Sequence, residues 1–249
     1  MAQARKTGGQ PRAVSKKGSE RRVHPFAYEA PTSVEEAVAL LARHAGRARP
    51  MAGGTDLIVQ LRENRRTCDL VVDVKRIPEM TTIAVEPGRR VQIGAATPLV
   101  DIARHPEIAR HFPAVAQACS LIGSISIQHR ASLGGNLGNA SPSADGVAPL
   151  MVHEAQVVVA GPQGRRVLPV EEVCTGPGQT CLAPDELLVS FHLPWPEPQT
   201  SSHYLRFTPR NEMDIAVAGV AVALTLDRQG RCRRARIALS AVAPTVVRA

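Results

Sequence analysis

Aromatic side chains are scarce in this sequence, 3% of 249 residues, although 44% of it is hydrophobic. A core must therefore be assembled from Ala, Val, Ile and Leu, and the length allows one large domain or two smaller ones. No apolar run approaches the roughly 18 uninterrupted residues that a membrane helix needs. The N-terminus is basic but has no apolar stretch behind it, which argues against a secretory signal. These two absences predict a cytoplasmic chain that does not engage a membrane. Cysteine is also sparse: Cys68, Cys119, Cys174, Cys181 and Cys232 are scattered, and none forms a C-x-x-C pair. That spacing encodes neither an iron–sulfur cluster nor a zinc site, so no metal ligands are expected. Isolated thiols of this kind are expected to act as small apolar fillers.

The net charge of +8 is unevenly placed. In residues 1–22, Arg5, Lys6, Arg12, Lys16, Lys17, Arg21 and Arg22 face Glu20 alone, and the rest of the chain is nearly balanced. A segment so poor in apolar side chains cannot offset its ordering entropy, so residues 1–25 read as a disordered basic tail. No basic stripe with interleaved aromatics follows in the body, so no nucleic-acid partner is expected.

The folded part begins near Phe26. Ser33-Val34-Glu35-Glu36 has the form of a capping box, and Val34, Ala37, Val38, Leu41 and Ala42 follow at helical spacing. Arg47–Met51 reads as a strand, Leu57–Arg62 as a helix and Leu70–Val74 as a buried strand. From Thr81 the texture changes to strands and turns. Thr82–Val85 and Arg90–Ala95 flank a hairpin turn, and helical character returns over Leu99–Ala103, Ile108–Cys119 and Val147–Val152. Gln156–Val159, Arg166–Pro169 and Leu187–His192 read as strands. Pro194-Trp195-Pro196-Glu197-Pro198 is a stiff connector that separates residues 26–195 (subdivided as 26–77 and 78–195) from residues 196–249. His203–Thr208, Ile215–Leu226 and Arg236–Ala243 then predict three antiparallel strands. The order of elements gives an α+β class.

Two glycine loops carry the chemistry. Ala52-Gly53-Gly54-Thr55-Asp56-Leu57 lies between a strand and a helix, where paired glycines let backbone N–H groups approach an anion. It is neither a G-x-G-x-x-G fingerprint nor a Walker loop. A strand–helix turn that needs glycine for its geometry alone would look the same. Ser132 to Asp145 is long, rich in Gly, Ser and Asn, and punctuated by Leu133, Leu137 and Pro142. Loops of this length in a compact domain are usually functional or disordered. Two donor-rich loops suit the two phosphates of a dinucleotide, and Asp145 suits a sugar hydroxyl.

At these residues the chain resembles a known family, the FAD-binding (medium) subunits of molybdenum hydroxylases such as xanthine dehydrogenase and carbon monoxide dehydrogenase. Ala52–Leu57 is similar to the family's first FAD loop. Ser132–Asn136, Asn139-Ala140-Ser141-Pro142 and Asp145 are similar to its second. Arg210 with Met213-Asp214-Ile215-Ala216 resembles the signature near the start of its C-terminal unit, and Ala241-Val242-Ala243-Pro244-Thr245 a later segment. The likeness runs in order from about Phe26 to the C-terminus.

The resemblance implies an FAD-binding domain of the vanillyl-alcohol oxidase and p-cresol methylhydroxylase type, with two α/β subdomains gripping FAD. A small three-stranded C-terminal unit follows. It implies a large partner subunit holding the molybdenum cofactor and a small one carrying two [2Fe–2S] clusters, in a heterotrimer that dimerises. Electrons would pass through the clusters to FAD and on to an external acceptor. Carried over by position, Ala52, Gly53, Gly54, Thr55, Asp56 and Leu57 would wrap one side of the pyrophosphate. Ser132, Gly135 and Asn136 would bind the other side, with Asn139 nearby. Asp145 would hold a sugar hydroxyl, and Ile127 and Leu188 would form apolar walls. Arg206 falls where the family often has a basic residue near the flavin, a placement that raises its potential. No residue is expected to act as a catalytic acid, base or nucleophile.

Two features depart from the family pattern. Ile127-Gln128-His129-Arg130-Ala131 replaces the commoner Ile-Arg-Asn-Arg-Gly, leaving His129 either at the flavin or capping a turn. The chain ends at Arg248-Ala249, before the helical tail the resemblance implies, so the C-terminal unit is expected to be incomplete. Two other functions compete. A stand-alone flavin oxidoreductase would need a substrate domain, and the roughly 50 residues after Pro198 are few for one. A flavin-free assembly or scaffolding protein would take up no FAD.

Overall fold

The computed structural model describes residues 23–249 except 45, 211 and 212. Most of the expected basic tail, residues 1–22, lies outside the described residues. Among the described residues no helix is long and apolar enough to cross a membrane.

The first unit is a parallel sheet in the order Ala27–Glu29, Leu70–Asp73, Ala48–Met51. Its central strand is buried along its whole length, as a strand covered on both faces should be. The helix Val34–Arg43 packs on this unit through Val34, Ala37, Val38 and Leu41. Ser33 Oγ accepts the Glu36 N–H at 3.1 Å, as the capping motif predicts. The Glu36 carboxylate reaches back to the Thr32 N–H at 3.0 Å, one residue beyond the position a standard box uses.

The second unit is a five-stranded antiparallel sheet. Its order is Ile83–Glu86, Arg90–Gly94, Leu187–Pro194, Gln156–Gly161, Gly164–Pro169. The last strand to appear in sequence thus takes the central place and buries Val189, Phe191 and Leu193. The helices Leu99–Arg104, Pro106–His111, Pro113–Leu121 and Val147–Val152 complete the core. The expected helical stretch Ile108–Cys119 is in fact two helices. Phe112 sits between them at φ −133° and ψ 51°, fully buried. Pro113 is the cause, since proline disfavours a helical residue before it and starts a helix well.

The C-terminal sheet has four strands rather than the expected three: Thr200–Phe207, Ala218–Leu226, Cys232–Ser240 and Val247–Arg248. Ala241 at φ +66° turns the chain, and Val247 and Arg248 return beside Leu239 and Ala238. Ile215–Val217, expected as strand, precede the ladder, and the strand expected at Arg236–Ala243 begins four residues earlier. Cys68 and Cys119 are the buried fillers expected, but Cys181 and Cys232 are exposed.

This sheet packs its inner face on the helices Pro113–Leu121 and Val147–Val152, with Tyr204, Ala221, Ala223 and Ala238 joining the main core. Ser202 Oγ accepts the Ala114 N–H at 3.1 Å and lies 2.8 Å from His153 Nε2. Burial, and then the nearby Arg236 guanidinium, lower the His153 pKa to about 3. The folded chain therefore resists a proton that the unfolded chain takes up near pH 6.5, and stability falls as the pH drops below that value. The expected limiting slope is about 1.4 kcal/mol per pH unit. Urea unfolding between pH 7 and pH 4.5 checks this: His153→Gln should flatten the slope, and an unchanged slope would remove His153 as its source.

Candidate functional site

A cleft of about 790 Å³ opens between the parallel and antiparallel units, within the size range of small-molecule and cofactor sites. Ala52 to Leu57, Ile127, Ser132, Gly135, Asn136, Asn139, Asp145, Leu188 and Arg206 all line it. The sequence separates these residues by up to 154 positions, and the fold brings them to one surface.

One wall is the loop between the strand Ala48–Met51 and the helix Leu57–Arg62. Among the described residues, no protein acceptor takes the backbone N–H groups of residues 52–57. Donors without protein partners are costly once shielded from water, and six in succession in residues that line a cleft suit an anion. Gly54 adopts φ +75°, open to glycine at no steric cost. Gly53 meets a different demand: a Cβ there would lie 2.2 Å from the Arg130 carbonyl oxygen. The first loop thus rests directly on the backbone that leads into the second.

The opposite wall is the helix Leu133–Gly138 and the segment after it. Buried Ser132 caps this helix, its Oγ accepting the Gly135 N–H at 3.1 Å. Because that N–H is occupied, Gly135 offers space instead: a Cβ there would meet only Ser132 Oγ, at 3.4 Å. Asn136 Oδ1 accepts the Gly146 N–H at 3.0 Å, which closes the second loop on itself. Asn139 Oδ1 accepts from Gln60 Nε2 at 3.0 Å, tying the two walls together. Ile127 and Leu188 supply apolar lining, as expected. His129 is exposed after the short helix Ile125–Gln128 and does not line the cleft.

Asp145 and Arg206 line the cleft and also meet each other. Asp145 is 7% exposed, and each carboxylate oxygen already accepts a strong hydrogen bond. The Tyr204 hydroxyl donates to Oδ1 at 2.6 Å and Arg206 donates to Oδ2 at 2.8 Å. Burial, and then the Asp145 charge, push the Tyr204 phenol well above its ordinary pKa, so it remains a donor. Arg206 is neither a solvated strand end nor a free cation; its charge is compensated by Asp145.

Gln60, Arg49 and Arg66 also line the cleft, and sequence reasoning did not single them out. Neither arginine has an acidic partner within 4.0 Å among the described residues, and Arg49 Nε is buried without an acceptor. The signal available was modest: Arg49 stands three residues before the first loop, next to an anion-binding turn. Met213, Asp214 and Ile215 line the cleft, and Arg210 Nη2 donates to the Met213 carbonyl at 2.6 Å. Donors without partners, compensating cations and an apolar lining together suit a long ligand carrying phosphates and a flat ring.

Residues 24–196 match the family described as the FAD binding domain in molybdopterin dehydrogenase. Residues 203–249 match the CO dehydrogenase flavoprotein C-terminal domain. The xanthine dehydrogenase FAD-binding subunit of Escherichia coli O157:H7 is 32% identical over 222 residues, 89% of this chain and 75% of that one. The carbon monoxide dehydrogenase medium chain of Hydrogenophaga pseudoflava is 34% identical over 224 residues, 90% of this chain and 77% of that one. A structure of carbon monoxide dehydrogenase from Hydrogenophaga pseudoflava superposes with a TM-score of 0.86 at 33% identity, covering 91% of this chain and 78% of that one. Quinoline 2-oxidoreductase from Pseudomonas putida 86 superposes with a TM-score of 0.84 at 26% identity, covering 91% and 78%.

Proposed function

This chain belongs to the FAD-binding medium subunits of the molybdenum hydroxylase family, and from that premise we propose that it relays electrons within a cytoplasmic oxidoreductase complex. It would receive them from iron–sulfur clusters on a small partner and deliver them to an external acceptor, while a large molybdenum subunit oxidises the organic substrate. Bound FAD supplies the redox chemistry; the protein supplies binding, orientation and electrostatics. The observation that carries this reading is the run of N–H groups at residues 52–57, without protein acceptors and in residues that line a cleft of cofactor size.

Each wall then has a defined task. Residues 52–57 donate to the pyrophosphate from one side, and the space at Gly135 lets it approach the helix Leu133–Gly138. The Gln60–Asn139 hydrogen bond fixes the separation of the walls. Arg49 and Arg66 add positive charge where an anionic ligand lies. Ile127 and Leu188 exclude water from the ring system. None of these groups has to move a proton.

The visible spectrum of the purified chain, with the released cofactor identified after denaturation, tests the binding half. Flavin absorption and released FAD are expected. A colourless chain that takes up no added FAD, alone or with its partner subunits, would sink the proposal. The relay half is tested in the assembled complex by rapid mixing with its organic substrate: flavin bleaching should follow cluster bleaching. Cluster reduction with the flavin left oxidised would contradict it.

A further inference from the structure

We propose that Tyr204 and Arg206 are positioning residues for the cofactor, reaching from the C-terminal sheet to clamp Asp145 and so hold the second loop in its binding form. The inference rests on the FAD reading above. The segment from Asn139 to Gly146 forms much of one cleft wall, with Asn139, Ser141, Ser143, Ala144 and Asp145 all lining it. It has no regular secondary structure after Gly138, and Ala140 sits at φ +49°. Local turn bonds such as Ala144 N–H to the Ser141 carbonyl at 3.0 Å shape it from within, and the rest of its hold comes from hydrogen bonds to other parts of the chain.

Three of those bonds come from the C-terminal sheet and the turn that follows its third strand. The Tyr204 hydroxyl and Arg206 take the two oxygens of Asp145, and the Ala241 N–H donates to the Pro142 carbonyl at 2.8 Å. The Asp145–Arg206 pair is closed off from water, with side-chain exposures of 10% and 6%. Removing one member of such a pair leaves the other charge buried and uncompensated. The sheet is built to admit the phenol: a Cβ at Gly219 would lie 2.6 Å from the Tyr204 oxygen. Glycine at that position, in the strand next to Tyr204, clears its path to Asp145.

A sheet that contributes no residue of the first loop thereby becomes part of the cofactor site. Binding couplings are reciprocal, so FAD should also tighten the docking of the C-terminal sheet. Arg206 acts through Asp145 rather than on the flavin ring, which distinguishes this role from direct tuning of the flavin.

The test uses the full chain and measures the FAD dissociation constant, the unfolding midpoint of the apoprotein and the potential of the bound flavin. Tyr204→Phe and Arg206→Met should each weaken FAD binding about tenfold or more, and Arg206→Lys should restore most of the loss. Combining Tyr204→Phe with Asp145→Asn should cost little beyond Asp145→Asn alone, because both remove the same clamp. The flavin potential should stay unchanged in every variant that binds. Dissociation constants within twofold of wild type, even with lowered midpoints, would overturn the proposal and leave only a structural ion pair. A shifted potential with unchanged affinity in Arg206→Met would overturn it in favour of direct tuning. If Arg206→Met does not fold, Tyr204→Phe decides, since it removes one oxygen and no charge. A wild-type chain that binds no FAD would instead defeat the underlying functional reading.

Discussion

Gly135→Asp is expected to give a folded, colourless protein. Gly135 lies in the first turn of the helix Leu133–Gly138, where its N–H is already accepted by Ser132 Oγ. An added Cβ meets only that oxygen, at an ordinary 3.4 Å, so the side chain has room without any shift of the backbone. Replacing a helical glycine relieves a cost of roughly 0.5–1 kcal/mol, and an acidic side chain is welcome near a helix start. The fold should therefore tolerate the change, and the unfolding midpoint should stay within a few degrees of wild type. The cofactor should not. The carboxylate would occupy the space reserved for the pyrophosphate and place like charges together, which costs several kcal/mol. That corresponds to a loss of affinity of at least about a hundredfold. Gly135→Ala, which adds bulk without charge, should lose less. The ratio of flavin to protein absorbance after purification, with a fluorescence titration of the apoprotein, measures both. A Gly135→Asp chain that purifies with a full complement of flavin would show that the pyrophosphate lies elsewhere.

What the sequence made legible was local. The Ser33–Glu36 cap, the helix Leu57–Arg62 and the buried strand at Leu70 follow from short-range rules of capping and hydrophobic patterning, and each lies where those rules put it. The break at Phe112 was legible too, because Pro113 announces it, but the apolar spacing on either side suggested one continuous stretch. The fourth strand at Val247–Arg248 was not, since two residues carry no periodicity. At the site, the first loop was legible as a loop, whereas the first half of the second, expected as loop, is the helix Leu133–Gly138, whose glycines hid its helical character. The wiring of the two was not legible. Gln60 meets Asn139 across 79 positions, and Asp145 meets Tyr204 and Arg206 across 59 and 61. Pairings of that separation are decided by how whole units dock. The sequence shows Asp145 as an acceptor but not the two protein donors that reach it from the C-terminal sheet.

Gly53→Ala should strike fold and site together, and for a reason that backbone conformation does not supply. Gly53 does not have a positive φ; its constraint is proximity. The added Cβ would lie 2.2 Å from the Arg130 oxygen and 2.8 Å from the Ala131 nitrogen, and both are main-chain atoms that cannot rotate away. Either the first loop lifts off the second or the segment at Arg130 retreats, and Ala131 donates its N–H to Ile127 while its carbonyl accepts from Leu99. Crowding of this kind costs about 3 kcal/mol, the upper end for one added methyl group. Gly88→Ala provides the comparison. Gly88 has φ +75° with nothing within 4 Å of an added Cβ, so its penalty is conformational alone, about 1–2 kcal/mol. It lies in a hairpin turn away from the cleft, and FAD should be retained in full. Urea midpoints and flavin content of the two variants separate the causes. Gly53→Ala should lose most of its flavin and more stability than Gly88→Ala. If both variants lose the same stability and both stay yellow, the two loops are not in the contact that the cleft requires. The pyrophosphate cradle would then have to be built from the first loop alone, whose N–H groups would remain but whose distance from Gly135 would no longer be fixed.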